Sequence, residues 1–142
     1  MRPEDTKIIR STWQSVAQIA DDAARLFYQR LFVTAPEIRS LFAHTDMPAQ
    51  RARLVQAITL VVDSLDRLDA LLPTLQALGQ RHTAYGVVPD HYQRVGEALL
   101  WTLAEGLGDA WTEDAERAWT SMFQIVADAM QKPPEFAAVQ AG

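Results

Sequence analysis

The stretch from Leu78 to Leu100, LGQRHTAYGVVPDHYQRVGEALL, constrains the fold more than any other part of the sequence. A row of leucines approaches it at helical spacing, and His82 falls next on that row. Gly86 and Pro89 then interrupt the helical pattern, and Pro89 has the fixed backbone angle of a first helical turn. The stretch therefore predicts two helices joined by a tight corner, with His82 near the end of the first. The leucines of the row are Leu71, Leu75 and Leu78.

Two interpretations of His82 are open on the residues alone. An imidazole that ends an apolar row points into a core, and beside an open apolar space it can hold a haem iron. The alternative is an ordinary core histidine with a hydrogen-bond partner, which is the more frequent case for a residue type of intermediate burial. The pattern by itself favours the ordinary histidine.

Length and composition limit the possible classes of function. A chain of 142 residues is one domain and is long enough to bury a sizeable core. The formal net charge of −5 argues against nonspecific nucleic-acid binding, and the absence of cysteine excludes disulfides and thiolate metal ligands. The first residues carry no apolar run typical of a secretory signal, and no apolar run is long enough to span a bilayer. We therefore expect a cytoplasmic protein that binds neither membranes nor nucleic acid.

Apolar residues at helical spacing recur along most of the chain, so the sequence predicts an all-α fold. Proline and acidic residues mark most of the helix starts, and Thr112 is suited to cap the last helix. The first predicted segment begins near Pro3, the second runs over 21–32 and the third over 36–42. The fourth begins after Asp46, and the fifth ends beyond His82. The sixth runs over 89–107, and the last begins after Thr112.

The ends of the later helices carry their own signals. Residues 63–69 are expected to form a polar link, and Gly106 with Gly108 is expected to end the helix that begins at Pro89. Two prolines then stop the last helix. Residues 1–132 are therefore expected to form the domain and residues 133–142 a C-terminal tail.

The motif HxxYGVxPxHYxxVGxxLL, which starts at His82, resembles the proximal motif of bacterial single-domain haemoglobins and of the globin domain of flavohaemoglobins. The segment FYxxLF from Phe27 to Phe32 resembles the same family, and the resemblance covers nearly the whole chain. It implies a globin fold, a three-over-three helical sandwich around a pocket for haem b. It also implies that His82 is the proximal ligand of the iron, as is general for globins.

The resemblance further implies the residues on the opposite, distal side of the haem. Tyr28 is the distal phenol, Gln50 and Leu54 form the distal lid, and Phe42 packs flat on the haem. Gln50 can bond both Tyr28 and a diatomic ligand because its amide has two N–H donors and one acceptor. Each residue also has an ordinary interpretation: a core tyrosine, a glutamine at the solvent rim and a buried aromatic.

On the proximal side the resemblance implies a trio of His82, Tyr92 and a glutamate of the last helix, which increases the electron density on the iron. Glu135 is the candidate glutamate, but it follows two prolines, and a neighbouring register places a phenylalanine there. Val95 is expected to exclude water from the pocket. Arg81 is either the partner of a haem propionate or a solvated surface arginine.

The implied function is reversible binding of dioxygen at a five-coordinate ferrous iron, with nitric oxide and carbon monoxide as further ligands. The alternative is a nitric-oxide dioxygenase that forms nitrate. Because 142 residues leave no room for flavin and nicotinamide domains, a separate flavin reductase is expected to supply the electrons. A third possibility is a haem-free helical protein of globin-like fold. Monomer and homodimer both stay open.

Overall fold

The computed structural model describes residues 1–132, which contain seven α-helices and three short 3₁₀ turns. The expected tail at 133–142, and Glu135 within it, lie outside the described residues. The helices are α1 (Pro3–Ala17), α2 (Ala20–Thr34), α3 (Pro36–Arg39), α4 (Met47–Asp63), α5 (Leu68–Ala84), α6 (Pro89–Leu107) and α7 (Glu113–Gln131). The 3₁₀ turns are Ser40–Phe42, Leu65–Arg67 and Gly108–Ala110.

Local sequence signals explain where most helices begin. The Asp46 carboxylate accepts a hydrogen bond from the Ala49 amide at 3.4 Å and caps α4. The Thr112 hydroxyl accepts one from the Ala115 amide at 3.1 Å and caps α7. Proline occupies the first turn of α1, α3, α4 and α6, where its missing amide hydrogen costs no hydrogen bond. The helix starts predicted from these signals are confirmed.

The structure refines two expectations about helix ends. The segment 63–69 joins α4 to α5 as predicted, through the 3₁₀ turn Leu65–Arg67, but Leu65 within it is buried in the core. Gly106 does not end α6, since it lies within the helix with open space around it. Gly108 alone ends that helix, with a φ of 56° that favours glycine.

The core lies between two layers of helices. Helices α1, α4 and α5 form one layer, and α2, α6 and α7 form the other, with the closest packing between α2 and α6, between α5 and α7, and between α1 and α7. Trp119 is fully buried, and its indole N–H donates to the Thr12 hydroxyl at 2.9 Å across the α1–α7 contact. Trp13 packs beside it, as expected for a core residue, and donates to Thr59 at 3.1 Å. These two bonds fix the tryptophans without leaving a buried indole N–H unpaired.

Gly96 allows α6 and α7 to approach each other closely. A Cβ at this position would lie 2.7 Å from the Phe123 ring, so any larger residue would displace that side chain.

None of the helices in residues 1–132 has the length and apolar character needed to cross a membrane.

Candidate functional site

Helices α4 and α5 pack on different neighbours. Helix α4 packs on α1 and α2, whereas α5 packs on α7, and within residues 1–132 few contacts join α4 and α5 directly. Several apolar side chains of α4, α5, α6 and the turn Ser40–Phe42 pack on the core but are only half-buried, so they can bury further surface against an added apolar group. These residues are Phe42, Leu54, Val55, Ile58, Leu72 and Val95. We call the region between α4 and α5 the crevice.

His82 lies on the last turn of α5 and is half-buried. Its Nδ1 atom is 2.8 Å from the carbonyl oxygen of Leu78, one turn earlier in the same helix. A carbonyl oxygen only accepts, so Nδ1 must carry the proton and donate it. In the neutral ring the remaining nitrogen, Nε2, then carries no proton, and it makes no hydrogen bond to any described residue. A neutral imidazole oriented by a hydrogen bond from its other nitrogen is the form that ligates metals.

Close packing of α5 on α7 sets the position of this histidine. Gly79 is buried one turn before His82, and a Cβ on it would collide with the backbone carbonyl of Met130. The two helices therefore touch backbone to backbone beside the histidine. Sequence reasoning did not single out Gly79; the available signal was a glycine inside an otherwise leucine-rich helix, where it costs about 1 kcal/mol relative to alanine.

Tyr28 and Gln50 meet on the distal side of the crevice. Tyr28 is 5% exposed, and its hydroxyl oxygen accepts a hydrogen bond from Gln50 Nε2 at 2.9 Å. The bond joins α2 to α4. The Tyr28 ring also contacts the Phe42 ring edge to face, with 5.5 Å between the ring centroids. The structure thus brings together three residues that the sequence placed on the distal side, while their roles towards a ligand stay predictions.

Burial raises the pKa of the Tyr28 hydroxyl, and the hydrogen bond from Gln50 and the charge of Arg53 oppose this shift. The net shift is upward, so the phenol keeps its proton at neutral pH and remains a hydrogen-bond donor. Arg53 lies one turn after Gln50 on α4 and donates to Gln50 Oε1 from Nη2 at 2.9 Å and from Nε at 3.3 Å. The contact between Arg53 and Gln50 was not predicted, because on pattern alone Arg53 is one more surface arginine.

The proximal trio is only partly within the described structure. The Tyr92 hydroxyl is buried and has no hydrogen-bond partner among residues 1–132, and this burial raises its pKa. Neither Tyr92 nor His82 hydrogen-bonds to an acidic side chain in residues 1–132. Arg81 is exposed on the last turn of α5. Glu135 lies outside the described residues, so its place in the trio stays a prediction.

The chemistry of the crevice fits a haem better than a metal ion bound by protein ligands alone. Residues 1–132 contain no group of three histidine, cysteine, aspartate or glutamate side chains able to hold a metal ion. His82 offers one nitrogen, and apolar side chains of α4, α5 and α6 that pack on the core are half-buried. One axial nitrogen and a half-buried apolar surface are what an iron porphyrin requires of a protein, because the porphyrin itself supplies the other nitrogens.

The family model described as Globin matches residues 25–130. The chain belongs to the globin family. It is 33% identical over 125 residues to a flavohaemoprotein of Bacillus subtilis and 34% identical over 126 residues to one of Vibrio cholerae. Each match covers 87% of this globin but only 31% and 32% of the relatives, so the chain spans about a third of their length.

Two further likenesses extend over almost the full length of both chains. A neuroglobin of Tetraodon nigroviridis is 31% identical over 142 residues, which is 91% of this globin and 89% of the neuroglobin. The crystal structure of a hexacoordinated haem protein from an anhydrobiotic tardigrade superposes with a TM-score of 0.80 at 20% identity, covering 92% of each chain. The predicted three-over-three globin fold is confirmed, and membership of the globin family supports a haem cofactor.

Proposed function

We propose that this globin binds dioxygen reversibly at ferrous haem b and serves to store or deliver it. The supporting observation is the hydrogen bond from Gln50 to Tyr28 at 2.9 Å, which holds a buried phenol donor beside the crevice. When bound, the haem supplies a ferrous iron with an open position for a diatomic ligand. Carbon monoxide and nitric oxide are expected to enter the same position.

The protein side chains have separate tasks in this proposal. His82 holds the haem through Nε2, and the Leu78 carbonyl keeps the ring in the required orientation. The Tyr28 O–H would donate a hydrogen bond to a bound diatomic ligand that carries partial negative charge, and a fixed donor in a dry site stabilises such charge more than water does. Phe42, Leu54 and Val95 limit the entry of water. Arg81, which is exposed beside His82, pairs with a carboxylate at the haem edge.

Nitric-oxide dioxygenase activity is the second candidate, supported by the identity of 33–34% to flavohaemoproteins over the globin portion. This reaction consumes one electron for each nitrate formed from nitric oxide and dioxygen, so it needs an electron donor such as a flavin reductase. A carboxylate bonded to Tyr92 or His82 would raise the basicity of the proximal ligand, and the candidate, Glu135, lies outside the described residues.

A turnover assay separates the two functions. Haem-loaded protein is mixed with dioxygen, nitric oxide, NADPH and a flavin reductase, and the nitrate formed per haem is counted. We expect about one nitrate per haem followed by slow re-reduction, as for a carrier. Sustained nitrate formation over many turnovers would establish the enzyme. Failure of the purified chain to take up haem, seen as the absence of a Soret band, would exclude both.

A further inference from the structure

Arg53 makes an uncommon contact for an arginine on the surface of α4. Its guanidinium donates two hydrogen bonds to the same oxygen, Gln50 Oε1, at 2.9 and 3.3 Å. Within residues 1–132 Arg53 forms no ion pair with a carboxylate, whereas the neighbouring Arg51 pairs with Asp21 at 2.8 Å. Arg51 joins α4 to α2 through this ion pair, whereas Arg53 donates its hydrogen bonds to the side-chain amide of Gln50.

This contact decides which way the Gln50 amide faces. The two ends of an amide have nearly the same shape, so their orientation follows from their hydrogen-bond partners. Arginine can only donate, and therefore the carbonyl end of Gln50 must face Arg53. The NH₂ end then faces Tyr28 and donates the 2.9 Å hydrogen bond to its hydroxyl oxygen.

The amide orientation in turn sets the direction of the Tyr28 hydroxyl. Because the phenol oxygen accepts from Gln50, its own proton is not used in that bond. No described residue accepts a hydrogen bond from Tyr28, so the proton remains available for a ligand in the crevice. If the amide turned over, Tyr28 would donate to Gln50 Oε1 and this donor would be lost to the ligand.

We propose that Arg53 is a positioning residue, which locks the Gln50 amide so that Tyr28 keeps its proton for the ligand. The inference rests on the proposed function, since it assigns a purpose to the Tyr28 donor. Arg53 would then act together with Tyr28 and Gln50, although its own side chain is exposed. The direction of the Tyr28 O–H would depend on a positive charge that lies outside the crevice.

The test compares Arg53→Met with Arg51→Met as a matched control. Both variants remove one positive charge from α4 and keep an apolar stem, but only the first removes a contact to Gln50. In haem-loaded, reduced protein under carbon monoxide, the infrared C–O stretch reports on the donor beside the ligand. We expect Arg53→Met to shift this band towards its position in Tyr28→Phe and to speed oxygen release about two- to tenfold. Arg51→Met should leave both unchanged, and Arg53→Lys should lie between wild type and Arg53→Met.

A second readout does not depend on ligand binding. Alkaline titration of the tyrosines by ultraviolet absorbance gives the step of Tyr28, identified by its disappearance in Tyr28→Phe. Both the Arg53 charge and the Gln50 donor stabilise the phenolate, so the Tyr28 pKa should rise in Arg53→Met and not in Arg51→Met. If Arg53→Met shows the same Tyr28 titration step and the same C–O band as the wild-type protein, the inference is wrong. If Tyr28→Phe also leaves the band and the release rate unchanged, the proposed distal donor itself fails, which is a separate result.

Discussion

The two helices that border the crevice are held in place by different kinds of contact. On the proximal side, Gly79 lets α5 lie directly against the backbone of α7 at Met130. On the distal side, α4 packs on α1 and α2 through side chains, and two side-chain hydrogen bonds to α2, from Gln50 to Tyr28 and from Arg51 to Asp21, add to that contact. Backbone packing permits little adjustment, while a hydrogen-bonded pair can change partner at a modest cost. We infer that the proximal wall fixes the cofactor and the distal wall sets the affinity for the ligand.

Removal of the proximal imidazole should give the largest effect. His82→Ala takes away the nitrogen that is proposed to hold the iron, so we expect most of the haem to be lost during purification. The ratio of Soret to protein absorbance measures this loss. His44→Ala serves as the control because His44 is exposed in the turn before α4. Full haem content and an unchanged spectrum in His82→Ala would refute the ligand assignment.

Gly79→Ala tests whether backbone packing fixes the proximal wall. The added methyl group collides with the Met130 carbonyl, so α5 must move away from α7. We expect a loss of about 1–3 kcal/mol in the free energy of unfolding and faster release of haem. Gly106→Ala is the matched control, since its surroundings are open and alanine favours a helix by about 1 kcal/mol. Equal urea unfolding curves for the two variants would show that the α5–α7 contact is unimportant.

Tyr28→Phe tests the distal wall and should leave the proximal one intact. Loss of one hydrogen bond of about 1.4 kcal/mol corresponds to a roughly tenfold faster release of dioxygen. Haem content should stay at the wild-type level. Stopped-flow displacement of dioxygen by carbon monoxide gives the rate, with Tyr85→Phe as the control because that tyrosine is 71% exposed. The same rate in both variants would mean that Tyr28 does not contact the ligand.

The smallest effect is expected at Tyr92. Its hydroxyl is buried without a partner in residues 1–132, so Tyr92→Phe should change the free energy of unfolding by less than about 1 kcal/mol. The cycle of Tyr92→Phe, Glu135→Gln and the double variant measures any coupling between the two side chains. We expect none. A coupling above about 0.5 kcal/mol would show that Glu135 reaches Tyr92 and would complete the proximal trio.

Features set by neighbours in the sequence were predictable, and those set by distant neighbours were not. Pro89 and Thr112 mark helix starts by local chemistry, and both were predicted. Tyr28 and Gln50 were paired only through the family resemblance, because helical spacing does not say which two helices meet. The importance of Gly79 depends on a carbonyl at the far end of the chain, and no local pattern reveals that contact.

Arg53 shows a second limit of sequence reasoning. Its spacing from Gln50 places the two side chains on one face of α4, but the same spacing suits a solvated arginine equally well. Leu65 gives the opposite case. It continues the apolar row of Leu54, Ile58 and Val61 at helical spacing, so its burial follows from the pattern.

The half-buried apolar walls of the crevice have a consequence for the life of the protein in a cell. Without haem, the half-buried apolar side chains around the crevice stay partly exposed to water. Haem that binds only the folded chain raises the free energy of unfolding by mass action, so the chain without haem is less stable. Newly made chains should therefore accumulate only when porphyrin synthesis keeps pace with translation. The abundance of this globin would then follow the iron and haem supply of the cell, even at constant transcription.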